Sequence, residues 1–232
     1  MNTRNVTVVI IGLCLALGAS ARPIEPKAPN LEPPREGRPP PPVMVPEGGD
    51  KLISLNCPVT SSAGIKPLRG EWAQITDGEK AGEHEDKTTL VKYAQGVQWV
   101  QIDLRTSQVV NAIWIWRHHE FPSVCRDLII QLSDDADFIE GVTTVFNNDH
   151  DNSAGLGKGD DKEYIEWNRG RGFPVPSVRA RYVRTYSNGR YPDLGDLDPF
   201  NYCTEIEVYG GEPTSPPGEK ALKVVFPKPG FL

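Results

Sequence analysis

The sequence predicts an all-β domain, a sandwich or barrel of short strands, and three observations carry that prediction. Apolar residues recur at every second position in several short runs bounded by turn-forming residues. No stretch longer than about three helical turns shows the 3.6-residue apolar period of an amphipathic helix. The 22 Pro and 22 Gly among 232 residues supply many turns and some sequence unable to build a core. Several short strands spaced by turns fit a sandwich or barrel.

Residues 1–21 read as an export signal. Arg4 supplies the charged start, an apolar run follows over 6–17, and Ala19, Ser20 and Ala21 form a small-residue cleavage site. The run is too short to cross about 30 Å of hydrocarbon as a helix, so the expectation is a secreted, periplasmic or cell-surface protein cleaved near Ala21, with no transmembrane segment. Residues 22–48 form a Pro-rich linker, with ten Pro between positions 22 and 46. Such composition favours extended polyproline conformations and suits a spacer. Residues 49–211 hold the folded domain, and 212–232 are a Pro-rich tail in which 221–226 reads either as one added strand or as disordered chain.

Within the domain, 52–55 is a short strand, 56–62 a loop, and 72–78 a turn-rich segment ending in Asp77-Gly78. The acidic loop 79–88 contains His84-Glu85. Thr88 stands where a zinc-protease helix requires a second His, so that chemistry is excluded. In 99–104, Val100, Ile102 and Leu104 alternate with Trp99, Gln101 and Asp103. A polar turn at 105–108 then leads to 109–116, apolar on both sides apart from Asn111, as in a strand covered on both faces. Trp114 and Trp116 read as core residues. Arg117, His118 and His119 follow where this strand emerges into a loop, a position that often carries binding function on a rigid scaffold. Further strands are expected at 127–133, 143–146, 163–167, 181–186 and 205–209.

After removal of the signal the chain carries 24 Lys and Arg against 31 Asp and Glu, a net charge of −7. That argues against a nucleic-acid partner, which requires concentrated positive surface. Export permits disulfides, and Cys57, Cys125 and Cys203 remain after cleavage. A bridge between Cys57 and Cys203 would close the largest loop, but spacing does not determine the pairing. In the insertion 146–163, Asp149, Asp151 and Ser153 have the one-three-five spacing of a calcium loop, with Asp160 at position twelve. Ala154 occupies the position that requires Gly and neither flank is helical, so a solvated loop is the expectation.

Six segments in order, PVTSS at 58–62, ITDG at 75–78, WVQIDL at 99–104, LIIQLSDDADF at 128–138, RYVRTYSNG at 181–189 and TEIEVYG at 204–210, resemble the discoidin or coagulation-factor C-type domain. That family belongs to the galactose-binding-like jelly-roll superfamily, which includes many carbohydrate-binding modules. The resemblance covers about residues 50–210. It implies an eight-stranded jelly-roll β-sandwich without catalysis, binding ligands through loops at one end. It also implies a structural calcium ion held by Asp77 and Glu205, with Thr88 a third oxygen donor and Asp86 replacing or supplementing a ligand. The chemistry suits calcium, which takes six to eight oxygen ligands.

A glycan site in such modules joins an aromatic platform to His, Arg or Asn, because sugar C–H faces pack on rings while paired hydroxyls meet forked donors. The ligand candidates are Trp72, Arg117, His118, His119, Arg126 and Tyr191. Adjacent His118 and His119 point in different directions if the strand continues. The function expected is a secreted, non-catalytic module for carbohydrate or another extracellular surface polymer. A protein–protein adhesion or assembly module is the alternative, and a glycosidase a weaker one. For a glycosidase, Asp134-Asp135 and Asp160-Asp161 are adjacent acids in turns, a poor match to two carboxylates about 5 to 10 Å apart across a cleft.

Overall fold

In the computed structural model, the described residues are 32, 42–80, 89–119, 124–165, 168–189, 199–212 and 222–225. The strands are β1 (Val43–Pro46), β2 (Lys51–Leu52), β3 (Val59–Ser61), β4 (Val91–Gln95), β5 (Gln98–Trp116), β6 (Val124–Cys125), β7 (Ile129–Ser133), β8 (Thr143–Asn147), β9 (Tyr164–Ile165), β10 (Arg171–Ser187), β11 (Phe200–Cys203), β12 (Glu205–Gly210) and β13 (Leu222–Val225). A 3-10 turn, Trp72–Thr76, precedes Asp77. No α-helix occurs among the described residues, so none there is long and apolar enough to cross a membrane.

The organising unit is an antiparallel ribbon of β5, 19 residues, and β10, 17 residues, which bends sharply at its middle. On β10 the register shifts between Pro174 and Val178 and again between Ala180 and Tyr182. Extra residues on one strand bend it and break its pairing locally. On β5, Arg105 adopts a left-handed φ of 72°. Asp103 secures the bend, with Oδ1 accepting from the Arg105 amide and from Arg181 Nε, each at 2.8 Å, and Oδ2 accepting from Arg181 Nη2 at 2.8 Å. The polar stretch 105–108, expected to separate two strands, therefore bends one strand, because pairing with β10 resumes beyond it. The N-terminal part of β10 escaped sequence reading because Gly172, Pro174 and Pro176 look like turn residues.

The first half of β5 and the second half of β10 join β3, β7 and β8 in a five-stranded layer ordered β3-β5-β10-β7-β8. The other two halves join β12 in a three-stranded layer, with the short β2 at its edge. With the halves of β5 and β10 counted separately and the short β2 set aside, the result is an eight-stranded, antiparallel jelly-roll sandwich. Val100, Ile102, Leu104, Ile130, Leu132 and Val183 from the first layer share one core with Val110, Ile113, Ile115, Phe173, Ile206 and Val208 from the second. The alternation in 99–104 and 128–132 thus reflects inward-facing positions of the five-stranded layer.

The outer face of the three-stranded layer is also covered. Val43 and Val45 of β1 and Val225 of β13 pack on Ala112, Trp114 and Trp116, forming a second apolar cluster. Residues expected in the linker and in the tail pair with each other in an antiparallel clasp, Val43 opposite Val225 and Pro46 opposite Leu222. This cover explains why 109–116 is apolar on both sides. Gly172 is required beneath it, since an added Cβ would lie 2.3 Å from Trp114 and 2.5 Å from Val43. Earlier in the chain, Glu32 forms a two-pronged ion pair with Arg171 at 2.5 and 3.0 Å.

Candidate functional site

Because the β5–β10 ribbon folds back on itself, its two ends meet at one end of the sandwich. Arg117, just beyond β5, reaches the chain just beyond β10. Its Nη2 donates to Gly189 O at 3.2 Å, its Nη1 to Cys125 Sγ at 3.1 Å, and its carbonyl accepts from Thr204 Oγ1 at 2.8 Å. A buried guanidinium thus ties the loop after β5 to β6 and to the loop after β10. Asn201, fully buried, fixes the neighbouring backbone. Its Oδ1 accepts from Ser187 Oγ and the Gly189 amide, both at 2.7 Å, and its Nδ2 donates to Ala94 O at 2.6 Å and Gly96 O at 2.8 Å.

Two groups of side chains flank this hub, partly exposed except for the buried Tyr202 and Glu163. On one side the His118 ring lies against Tyr202 of β11, with centroids 5.1 Å apart. Lys92 of β4 places its ammonium 4.0 Å from the Phe200 ring centre and 5.4 Å from that of Tyr202. His118 and Phe200 are half-buried, so this aromatic face is partly open. On the other side, Asn188 Nδ2 donates to Asp127 Oδ2 and to Ser153 Oγ, both at 3.3 Å. Arg126 Nε lies 2.7 Å from Glu163 Oε1, and His150 Nδ1 lies 3.8 Å from the same oxygen.

The predicted ligand residues divide between hub and rim. Arg117 and His119, 7% and 2% exposed, belong to the hub, with His119 Nε2 donating to Lys80 O at 3.1 Å. His118 and Arg126 stand on the rim, and the two adjacent histidines do face different partners. Trp72 is 8% exposed, packs edge-on against Tyr93 at 5.5 Å, and gives its indole N–H to Gly64 O, so its surroundings are those of a core residue. Tyr191 lies outside the described residues. Sequence reading missed Asn188, Asn201, Phe200 and Tyr202; the alternation across 200–203 was the available signal, hidden by flanking Pro and Asp.

Of the predicted metal ligands, Asp86 and Thr88 lie outside the described residues. Asp77 is exposed, and its Oδ1 accepts from the Glu79 amide at 2.8 Å. Glu205 is 1% exposed. Its Oε1 accepts from the Gly78 amide at 3.2 Å, and its Oε2 has no hydrogen-bond partner among the described residues. Burial, with the nearby Glu207 carboxylate second, pushes its pKa up to about 9. Glu207, also buried, accepts from Lys80 Nζ at 2.7 Å on Oε1 and from the Tyr209 hydroxyl at 2.6 Å on Oε2. An orphaned, buried carboxylate oxygen with an exposed carboxylate near it is the kind of oxygen donor set a hard cation takes.

A second acidic group, unforeseen in this form, joins Asp127 to Asp149 and Asp151, their oxygens within 4.8 Å of one another, and could hold a metal ion. Burial raises the pKa of Asp127, and the two neighbouring aspartates add to the shift. Asp149, expected on a solvated loop, is fully buried. Its oxygens cap that loop, accepting from the Ser153 and Ala154 amides at 3.0 and 2.9 Å. The adjacent acid pairs weighed for hydrolysis serve the same purpose. Asp135 accepts from the amides of Asp137, Ile139 and Glu140, and Asp161 from that of Asn147. Cys57, Cys125 and Cys203 are all buried, and no disulfide joins any two of them.

No family model and no curated protein matches the chain. Among solved structures it is similar to carbohydrate-binding modules and lectin domains. A mutant of chitosan-binding module 1 from a Paenibacillus sp. IK-5 chitosanase/glucanase has 24% identity and a TM-score of 0.47, covering 69% of this chain and 99% of the module. A fucose-binding module of Streptococcus pneumoniae has 13% identity and a TM-score of 0.46, covering 70% of this chain and 99% of that one. A serum fucolectin of striped bass, Morone saxatilis, has 18% identity and a TM-score of 0.49, covering 69% and 49%.

Proposed function

We propose that the domain is an exported, non-catalytic module that binds carbohydrate through the loop end of its sandwich. One observation carries this reading. A buried Arg117 and Asn201 frame holds a partly open aromatic face, His118, Tyr202 and Phe200, at the same end as the forked polar groups of Arg126 and Asn188. Sugars need both: rings receive the C–H faces, and planar amide or guanidinium groups meet adjacent hydroxyls. Tyr191, two residues beyond Gly189, is the further ring we assign to this rim. Arg117 and His119 brace the loops behind the rim through Gly189 O and Lys80 O. Trp72, although grouped with the ligand residues by sequence, acts on it only through the packing of Tyr93.

We further propose a structural calcium ion at Asp77 and Glu205, with Thr88 and Asp86 as additional donors. When bound, the ion supplies a positive charge that keeps the Glu205 carboxylate ionised and pins the turn at Gly78 to β12. The reading is non-catalytic because Asp135 and Asp161 accept from turn amides and the Glu207 carboxylate is engaged by Lys80 and Tyr209. The test is titration of the mature protein against a panel of polysaccharides, with and without chelator. Saturable binding to at least one glycan, weakened by His118→Ala, is the expected result. Correctly folded protein that binds no glycan, yet captures a defined protein partner through the same rim, would transfer the site to adhesion.

A further inference from the structure

Lys80 is the feature of the carboxylate cluster that the calcium reading does not use. Its ammonium is nearly buried, the side chain 10% exposed, and is held from three directions. It donates to Gly78 O at 2.8 Å and to Glu207 Oε1 at 2.7 Å, and it lies 5.3 Å from the centre of the Trp116 ring. Gly78 is shared between this ammonium and the proposed metal ligand: its carbonyl takes Lys80, while its amide donates to Glu205 Oε1. The Lys80 carbonyl accepts from His119, so the same residue ties the cluster to the loop end.

A cation placed on a backbone carbonyl and a buried glutamate, against a ring face, does for the cluster what a metal ion would do. It offsets buried negative charge and closes the turn. From this geometry we infer that Lys80 is a resident counter-ion of the Glu205–Glu207 pair, one that lets the domain fold without metal and weakens calcium binding at Asp77 and Glu205. The inference rests on the calcium site proposed above, but not on glycan binding. Two charges of the same sign separated by one residue's backbone repel by enough to lower affinity about tenfold or more. A bound ion and the Lys80 ammonium therefore compete for one pool of negative charge.

The test compares the mature wild-type protein with Lys80→Met, which keeps the apolar stem over Trp116, and with Lys80→Arg, which keeps the charge. Calcium chloride is titrated calorimetrically, and thermal unfolding is followed in excess chelator and in excess calcium. The wild type is expected to stay fully folded in chelator and to gain less in melting temperature from excess calcium than Lys80→Met does. Lys80→Met is expected to bind calcium about tenfold more tightly and to lose stability in chelator that calcium restores. Lys80→Arg should follow the wild type in both measurements. The inference is overturned if Lys80→Met binds calcium no more tightly than wild type, if it is unfolded even with calcium, or if neither protein binds calcium. It is also overturned if chelator alone unfolds the wild type. None of these readouts involves a glycan, so they leave the carbohydrate reading to its own test.

Discussion

Replacing Asn201 by Ala tests whether the loop end is a rigid frame. The side chain is fully buried and makes four hydrogen bonds, two as acceptor from Ser187 Oγ and the Gly189 amide, and two as donor to the Ala94 and Gly96 carbonyls. A typical hydrogen bond contributes a net ~1 kcal/mol, and stranding a buried partner costs more than that mean. The substitution should therefore cost about 4 kcal/mol, a large share of the 5–15 kcal/mol that roughly brackets a domain's whole stability. With a urea m-value of ~2 kcal/mol/M, the unfolding midpoint should fall by about 2 M. Urea unfolding read by tryptophan fluorescence measures this, and amide exchange should show Gly189 losing protection. A loss below about 1 kcal/mol, or unchanged protection at Gly189, would refute the idea that Asn201 organises the loop behind Arg117.

Three further outcomes follow from the packing and charges. Val45→Ala removes two methyl groups from a fully buried position on the clasp's inner face and should cost about 2 kcal/mol in urea unfolding, from lost burial plus a cavity. Truncation after Glu212, which removes β13, should red-shift tryptophan emission as Trp114 and Trp116 gain water; unchanged emission would mean that the clasp covers neither. Asp103 is held below the usual carboxylate range, first by its hydrogen bonds to Arg181. Its stabilising contribution is thus complete above its unfolded pKa of about 3.9 and disappears as pH falls through the depressed folded value. Asp103→Asn should lower the melting temperature slightly at pH 6, less in high salt because the pair is part-exposed, and progressively less as pH falls through the depressed folded value.

The layers of the sandwich were legible because alternation is a local property. In 99–104 and 128–132 apolar residues recur at every second position, and that alone marks each as a strand; the burial of every residue in 128–132 comes from the fold. Partners distant in sequence were not legible. Nothing in 109–116 says that Val43 and Val225 cover its second face, and the linker's Pro content concealed a strand that pairs through a tail of similar composition. At the site, Arg117 and His119 were found by residue type, but type does not distinguish a ligand contact from a buried tie. That depends on Gly189 and Lys80, 72 and 39 residues away. Asp127 and Asn201 were invisible for the same reason. Each is an ordinary turn or strand residue until the fold brings Asp149 or Gly189 beside it.

Binding of the mature protein to a polysaccharide panel, repeated with His118→Ala, tests the central claim most directly. Saturable binding to at least one glycan, reduced at least tenfold in the variant with its melting temperature unchanged, is the result predicted. Binding unaltered by the His118 substitution would place the ligand elsewhere on the sandwich, and a folded protein that binds no glycan would contradict a carbohydrate function.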